Sequence, residues 1–282
     1  LLVEREVCIN QNGRSVISIT SRSCDAIYSV RTGRRESAVM LPGKSPILLL
    51  CVDGTGSLPD GTYYAENKLS HVSQAYLTGK ADTKRYWRGP WIVGAATSSI
   101  ALDVASTIFD ARKSSPETKI FMVGHSRGGA AIIRAAQIMN LRFQMNQKRG
   151  RASDIGNNSI EAIFLYDAVN MTHNLSVDVI PPNVGKCYHA MRDPVALSRQ
   201  SWGNCAKIST RSGQLVKKTF FGSHAALGGT PGTGDLEPRK VEVADFTGVV
   251  TVKKTQWAVI EPACAKAAQL WMFKHMKTHG VM

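Results

Sequence analysis

Residues 118–130, TKIFMVGHSRGGA, determine how the rest of the chain is interpreted. The apolar run Ile120–Val123 predicts a buried strand, and the Ala-rich segment after Gly129 predicts a helix. Between them, residues 124–128 have the pattern G-x-S-x-G, which is typical of a sharp strand–turn–helix connection with an exposed serine hydroxyl at its strained tip. The helix that follows directs its N-terminus towards developing negative charge. The stretch therefore predicts Ser126 as a nucleophile.

Apolar, strand-like segments alternate with segments of helical periodicity along most of the chain. We expect strands at 46–52, 119–123, 160–166, 186–191 and 216–221, and helices at 66–77, 95–111, 127–146 and 262–279. Short β segments precede them in residues 1–45, and 241–252 has the pattern of a hairpin. This alternation predicts an α/β protein with a mostly parallel central sheet and helices on both faces.

Composition limits the possible partners and location. The longest apolar run, Ile47–Val52, is too short to span a bilayer, no signal peptide is visible, and the chain begins without Met. We therefore leave the location open between the cytoplasm and export by a signal-independent system. The net charge of +14 favours a polyanionic partner, either nucleic acid or an anionic membrane surface. Aromatic residues do not interleave with the basic clusters, which argues against nucleic acid. These clusters are Arg31–Arg35, Lys148–Arg151, Lys217–Lys218 and Lys253–Lys254.

A serine nucleophile needs a base to take its proton and an acid to orient that base. In α/β-hydrolases these follow the serine in the order acid, then histidine, each after a strand. His224 follows the strand at 216–221 and precedes a Gly-rich loop, so we predict it as the base. Asp167 and Asp193 both end predicted strands, and spacing alone leaves the choice of acid open. Residues 46–282 are then the α/β-hydrolase domain, and residues 1–45 are expected to belong to it.

The tetrahedral intermediate of such a reaction needs two backbone N–H groups around its oxyanion. The first is expected from Arg127, the residue after the nucleophile. The second is expected from the loop that follows the strand at 46–52, where Gly54 and Thr55 allow close approach of the backbone to a substrate. This chemistry needs no metal ion and no organic cofactor.

Several blocks together resemble the α/β-hydrolase domain of bacterial type VI secretion phospholipase effectors and their relatives of unassigned function. The resemblance implies a triad of Ser126, Asp167 and His224, hydrolysis of phospholipid esters, toxicity to rival cells, and secretion machinery or an immunity protein as partners. One departure is Ala225-Ala226, where the family has an Asp. The blocks that carry it are Cys51–Gly56, Tyr86–Pro90, Gly124–Gly129, Tyr166–Asn170 and Phe221–Gly229.

We therefore predict a serine ester hydrolase, of the lipase or phospholipase A type, that acts on membrane lipids and serves as an antibacterial effector. A soluble carboxylesterase or thioesterase is the alternative within the enzymes. A non-catalytic binding protein with this fold, using its basic clusters as an interaction surface, is the alternative of another class.

Overall fold

A computed structural model describes residues 5–9, 15–19, 45–56, 60–91, 96–150, 157–171, 175–196, 198–199, 201–231, 239–242, 249–252 and 254–282. The chain divides into two compact units, Leu1–Lys44 and Ser45–Met282. In the first unit, strands β1 (Arg5–Ile9) and β2 (Ser15–Ile19) pair antiparallel. The expectation that residues 1–45 belong to the α/β domain stays a prediction.

The second unit contains ten strands and six α-helices among its described residues. The strands are β3 (Ile47–Val52), β4 (Thr83–Trp87), β5 (Lys119–His125), β6 (Ile160–Tyr166), β7 (Val179–Ile180), β8 (Val184–Arg192), β9 (Ile208–Ser209), β10 (Leu215–Phe220), β11 (Arg239–Glu242) and β12 (Val249–Val252). The helices are α1 (Asp60–Asn67), α2 (His71–Thr78), α3 (Ala96–Ser114), α4 (Ser126–Lys148), α5 (His224–Leu227) and α6 (Lys254–Thr278).

The central sheet has six strands in the order β10-β8-β6-β5-β3-β4, and every pair in it is parallel. Its inner strands are buried on both faces, which explains why β3 and β5 are continuous apolar runs. Alternate residues of β3 enter two cores: Leu48 and Leu50 face α3 and α4, whereas Leu49 faces α2 and α6. The predicted parallel sheet with helices on both faces is confirmed. No helix in the described residues is long and apolar enough to cross a lipid bilayer.

Several elements differ from the prediction, and three of them show why. The helix expected at 66–77 is two helices, because Ser70 accepts from the N–H of Ser73 and starts α2 as its N-cap. The edge strand β4, sequence TKRYW, lacks the apolar run used to find strands and was not predicted. Helix α6 begins at Lys254 instead of 262, with Pro262 inside it. The hairpin expected at 241–252 is present as the antiparallel pair β11–β12.

Candidate active site

The turn between β5 and α4 holds Ser126 in a strained conformation. Its φ of +56° lies in the left-handed region, which a non-glycine residue rarely adopts. Glycine is required on both sides of Ser126 because neighbouring backbone atoms lie too close to leave room for a Cβ. A Cβ at Gly128 would lie 2.3 Å from the carbonyl oxygen of Asp53, and one at Gly124 would lie 2.8 Å from Cα of Gly129. The pattern G-x-S-x-G is therefore explained by packing of the turn against β3 and the first turn of α4.

Ser126, His224 and Asp167 form a continuous chain of hydrogen bonds. His224 Nε2 lies 2.8 Å from Ser126 Oγ, and His224 Nδ1 lies 2.6 Å from Asp167 Oδ2. An ionised carboxylate can only accept, so Nδ1 carries the proton and Nε2 of the neutral ring accepts from the serine hydroxyl. All three residues are buried. The arrangement can remove the hydroxyl proton from Ser126 as its oxygen attacks an electrophile.

Asp167 is held in place by more than the histidine. Its φ is +42°, and its N–H donates to the carbonyl of Ala190 at 2.7 Å. Arg192 donates twice, from its backbone N–H to Oδ1 at 3.2 Å and from Nη1 to Oδ2 at 2.5 Å. Burial alone would raise the pKa of the carboxyl group. The hydrogen bond and charge of His224, with the charge of Arg192, outweigh burial and hold the pKa well below its ordinary value. Asp167 is therefore a carboxylate at neutral pH.

Asp193, the other candidate acid, makes different contacts. Its Oδ1 accepts from the N–H of Val195 at 3.0 Å and caps the short 3₁₀ helix Pro194–Ala196. Its own N–H donates to the carbonyl of Phe220 at 2.9 Å. Of the two aspartates, Asp167 is the one that contacts His224.

The backbone and ring of His224 are fixed by neighbouring groups. Ser223 is the N-cap of α5, and Glu261 of α6 accepts from its N–H at 2.7 Å and from its Oγ at 2.5 Å. The Oγ of Ser198 accepts from the N–H of His224 at 2.9 Å. The rings of His125 and Trp202 pack against the imidazole, with centroids at 4.9 Å and 5.1 Å. These contacts leave the imidazole little freedom to rotate away from Ser126.

His125 is buried beside His224 and stays neutral. Burial lowers its pKa to about 3, and the neighbouring charge of His224 acts in the same direction. A second buried histidine, His189, accepts from the N–H of Ala168 at 3.0 Å through Nε2, and burial lowers its pKa to about 4. Among the described residues, the hydrogen bond with Ser126 Oγ is made by His224 and not by either of these rings.

The predicted oxyanion donors lie on two adjoining segments. The N–H of Arg127 is in the first turn of α4, where the helix itself supplies no acceptor. On the loop after β3, the N–H of Gly54 donates to Asp53 Oδ1 at 2.8 Å. Within the described part of the chain, the N–H of Thr55 has no acceptor. Thr55 is therefore better suited than Gly54 to donate to a substrate.

Asp53 connects this loop to neighbouring elements through hydrogen bonds. It is fully buried and accepts from Ser70 Oγ at 2.5 Å and from Tyr86 Oη at 2.8 Å, besides the Gly54 N–H. Burial raises its pKa, and these hydrogen bonds oppose that rise. The carbonyl of Gly54 accepts from Tyr63 Oη at 2.9 Å. The loop is thus held by side chains from α1, the start of α2 and β4.

Sequence reasoning missed several residues of the site. Arg192 is the last residue of β8, and β8 pairs with β6 so that Ala190 lies opposite Tyr166, the residue before Asp167. That register, once known, would have placed Arg192 beside the acid. No local pattern identified Glu261, Trp202 or the network around Asp53.

These observations define the class of the protein's fold. Ser126 lies at the turn after an inner strand of a parallel sheet covered by helices on both faces. Asp167 and His224 follow later strands and are joined to Ser126 by hydrogen bonds, in the chain order of α/β-hydrolases. The chain has the α/β-hydrolase fold.

Comparisons with known proteins find distant structural neighbours but no relatives by sequence. No family model matches the chain, and no curated protein matches it. An uncharacterized protein from Pseudomonas aeruginosa aligns with a TM-score of 0.39 and 11% identity, over 80% of this chain and 46% of that one. This chain thus spans less than half of that neighbour. A cutinase-like protein from Cryptococcus sp. aligns with a TM-score of 0.33 and 15% identity, over 81% of this chain and 92% of that one. The RedJ thioesterase from Streptomyces coelicolor aligns with a TM-score of 0.32 and 13% identity, over 66% of this chain and 82% of that one.

Proposed function

We propose that the protein is a serine ester hydrolase. The observation that carries the proposal is the hydrogen-bonded chain from Ser126 Oγ through His224 to Asp167 Oδ2, with contacts of 2.8 Å and 2.6 Å. Each side chain in this series of hydrogen bonds lies within reach of the proton it must accept or donate.

Acylation begins when Ser126 Oγ attacks the ester carbonyl carbon and its proton passes to His224 Nε2. The imidazolium is stabilised by Asp167, and the carbonyl oxygen becomes an oxyanion that accepts from the N–H groups of Arg127 and Thr55. The bond to the leaving oxygen then breaks, and Nε2 returns the proton to the alcohol. The products of this half-reaction are the free alcohol and an acyl ester on Ser126.

Deacylation repeats the same steps with water as the nucleophile. His224 takes a proton from the water as its oxygen attacks the acyl carbon, and the second tetrahedral intermediate uses the same two N–H donors. Collapse expels Ser126 Oγ, which regains its proton from Nε2. A carboxylic acid is released and the site is restored.

Phospholipid is the substrate class that we propose within this chemistry. The net charge of +14 and the resemblance of the blocks around Ser126 and His224 to phospholipase effectors support it. The guanidinium of Arg127 is buried, so headgroup phosphate would have to be attracted by other basic residues. Lys217 and Lys218 are exposed on β10, the strand that leads to His224. Lys148 and Arg149 lie at the opposite end of α4, about 30 Å along the helix from Ser126.

The test compares activity on vesicles and on soluble esters. Purified protein is incubated with vesicles of mixed zwitterionic and anionic phospholipids, and the products are identified by mass spectrometry. We expect free fatty acid and lysophospholipid, activity that falls between 50 and 500 mM salt by roughly tenfold, and no products with Ser126→Ala. Equal activity on short soluble esters and on vesicles would instead indicate a soluble carboxylesterase or thioesterase. Turnover that survives Ser126→Ala would refute the proposed chemistry.

A matched pair of double variants tests which basic residues attract the membrane. Lys217→Gln/Lys218→Gln and Lys148→Gln/Arg149→Gln each remove two positive charges. We expect the β10 pair to lower activity on anionic vesicles roughly thirtyfold, at about 1 kcal/mol for each of the two charges near the surface, and the α4 pair to lower it less. Equal effects would show that total charge alone matters.

The resemblance extends the proposal to an antibacterial effector. Expression of the chain in the periplasm of a bacterial host is then expected to stop growth, and Ser126→Ala is expected to abolish toxicity. Growth unaffected by an active, exported enzyme would rule out this role without affecting the proposed chemistry.

A further inference from the structure

We propose that the side chain of Arg127 is a positioning residue that fixes both halves of the oxyanion hole relative to each other. Its own backbone supplies one N–H donor, and its guanidinium holds the loop that supplies the other. The inference rests on the proposed ester hydrolase and assigns a role to a side chain that the reaction steps leave unused.

The contacts of Arg127 join three segments around the nucleophile. Nε donates to Thr55 Oγ1 at 2.7 Å, on the loop after β3. Nη2 donates to the carbonyl oxygen of Trp91, on the segment after β4. The backbone of Arg127 belongs to the first turn of α4, next to Ser126. One planar guanidinium, with donors in a rigid fork, therefore fixes the spacing between the helix start and both loops.

Burial makes this arrangement costly unless it has a specific use. Arg127 is 2% exposed, and burial lowers the pKa of its guanidinium. An apolar side chain would fill the same space without the desolvation cost of a charge. Among its contacts, the buried guanidinium donates to the hydroxyl of Thr55 and to the carbonyl oxygens of Trp91 and Pro90. Such directed contacts to two loops fit a requirement for geometry better than a requirement for packing alone.

The loop itself needs an anchor at Thr55. Glycines on both sides, Gly54 and Gly56, leave the backbone with many accessible conformations. Gly54 is held by Asp53 and by Tyr63, through its N–H and its carbonyl. Thr55 is held through its hydroxyl by Arg127. Release of that hydroxyl would leave the Thr55 N–H free to move away from the position of the oxyanion.

Small displacements at this position have large kinetic effects. An oxyanion donor must lie about 2.7–3.1 Å from the developing charge, and loss of one donor lowers kcat by roughly 10²–10³-fold. A displaced donor costs part of that loss. Because the effect arises in the transition state, it reduces kcat and leaves KM nearly unchanged.

Substitution of Thr55 provides the sharpest test, because the backbone N–H is kept in every variant. Thr55→Val removes the hydroxyl acceptor at nearly constant volume, and Thr55→Ser keeps it. Thr107→Val is the matched control: Arg85 Nη1 donates to Thr107 Oγ1 at 2.6 Å, an arginine–threonine contact between β4 and α3. The readouts are kcat and KM on a p-nitrophenyl ester, the melting temperature, and the Ki of a trifluoromethyl ketone with the same acyl chain. Addition of Ser126 Oγ to this ketone moves the hydroxyl proton to His224 and leaves an oxyanion on the former carbonyl oxygen.

We expect Thr55→Val to lower kcat about tenfold or more and to weaken the ketone by a similar factor, with KM within about twofold. Thr55→Ser is expected to restore kcat to within about threefold of the unaltered chain. Thr107→Val is expected to change the melting temperature by a similar amount to Thr55→Val without lowering kcat. Arg127→Lys tests the other partner. A single ammonium cannot hold both acceptors in the same plane, so we expect kcat to fall without loss of the fold.

Different failures identify different errors. If Thr55→Val and Arg127→Lys both keep kcat within about twofold, or raise only KM, the positioning role is wrong while the hydrolase remains. If Thr107→Val lowers kcat as much as Thr55→Val, the effect is one of general stability and the inference is overturned. If the unaltered chain hydrolyses no ester, the proposed function fails and the inference fails with it.

Discussion

Arg192 Nη1 donates to Asp167 Oδ2 at 2.5 Å, and this is the same oxygen that accepts from His224 Nδ1. The pair is an ion pair whose side chains are 6% and 0% exposed. Arg192 Nη2 also donates to the carbonyl of Arg199, whose φ is +49°. Arg192 therefore connects the carboxylate to the segment that carries Trp202, which packs on the imidazole.

This ion pair is expected to be important for stability. Arg192→Met removes the positive charge that balances the buried carboxylate of Asp167. We therefore expect the free energy of unfolding to fall by about 3–5 kcal/mol. Arg192→Lys keeps the charge but loses one of the two hydrogen bonds, so an intermediate loss is expected. Urea denaturation at pH 7 measures both. A loss below about 1 kcal/mol for Arg192→Met would contradict this account.

The choice of acid predicts unequal effects of two matched substitutions. Asp167→Asn removes the charge that orients His224 and stabilises its imidazolium, so we expect kcat to fall about a thousandfold or more. Asp193→Asn keeps an oxygen acceptor for the N–H of Val195 and is expected to change kcat less than about tenfold. The measurement is kcat on a p-nitrophenyl ester. A larger loss for Asp193→Asn would reverse the assignment.

Three buried histidines predict how stability depends on pH. Burial lowers the pKa of His71, His125 and His189 to about 4, 3 and 4, whereas the unfolded chain titrates near 6.5. Below pH 6.5 the unfolded state therefore binds more protons than the folded state. The contribution of these histidines to the free energy of unfolding is complete above that pH and decreases as the pH falls towards 4. Near pH 5 these three histidines contribute about 4 kcal/mol per pH unit to the slope. The raised pKa of Asp53 acts in the opposite direction, whereas the lowered pKa values of His275 and His279 act in the same direction as the three histidines.

Urea titrations from pH 7.5 to 4.5 measure that slope. His189→Gln keeps an acceptor for the N–H of Ala168 and removes one titrating group, so it is expected to reduce the slope by about one third. Stability that is constant over this range, or a slope unchanged in His189→Gln, would show that these rings are not held neutral by burial.

The hydrogen bonds between Glu261 and Ser223 indicate that α6 helps to hold His224 in place. Glu261→Ala leaves the N–H and Oγ of Ser223 without their acceptor, and we expect a loss of about 1–3 kcal/mol in stability together with a lower kcat. Ser223→Ala, which removes the N-cap of α5 and one of the two contacts, is expected to cost about 1 kcal/mol. An unaltered kcat in Glu261→Ala would show that α5 holds His224 without help from α6.

Sequence reasoning could predict groups that lie at strand ends. Ser126, Asp167 and His224 each follow a predicted strand, and the carboxyl ends of parallel strands meet at one edge of a sheet. The same argument could not choose between Asp167 and Asp193, because both end strands. The choice depends on how the chain turns after each strand: Asp167 adopts a φ of +42°, and Asp193 caps a 3₁₀ helix.

The residues that sequence reasoning missed act through contacts distant along the chain. Ser70 and Tyr86 reach Asp53 over 17 and 33 residues, and Glu261 reaches Ser223 over 38. No local periodicity encodes such pairs. Strand β4 lacks the apolar pattern because it is an edge strand with charged residues. The start of α6 is hidden because proline is typical of the first turn of a helix, whereas Pro262 lies inside this one.

The central claim is that Ser126 is the activated nucleophile, and covalent labelling tests it most directly. The unaltered chain, Ser126→Ala and His224→Gln are treated with a fluorophosphonate, and the adduct is located by mass spectrometry of the intact protein and its peptides. We expect one adduct on Ser126 in the unaltered chain, none in Ser126→Ala, and labelling slowed by at least about a hundredfold in His224→Gln. An adduct on another residue, or equal labelling of the unaltered chain and His224→Gln, would contradict the claim.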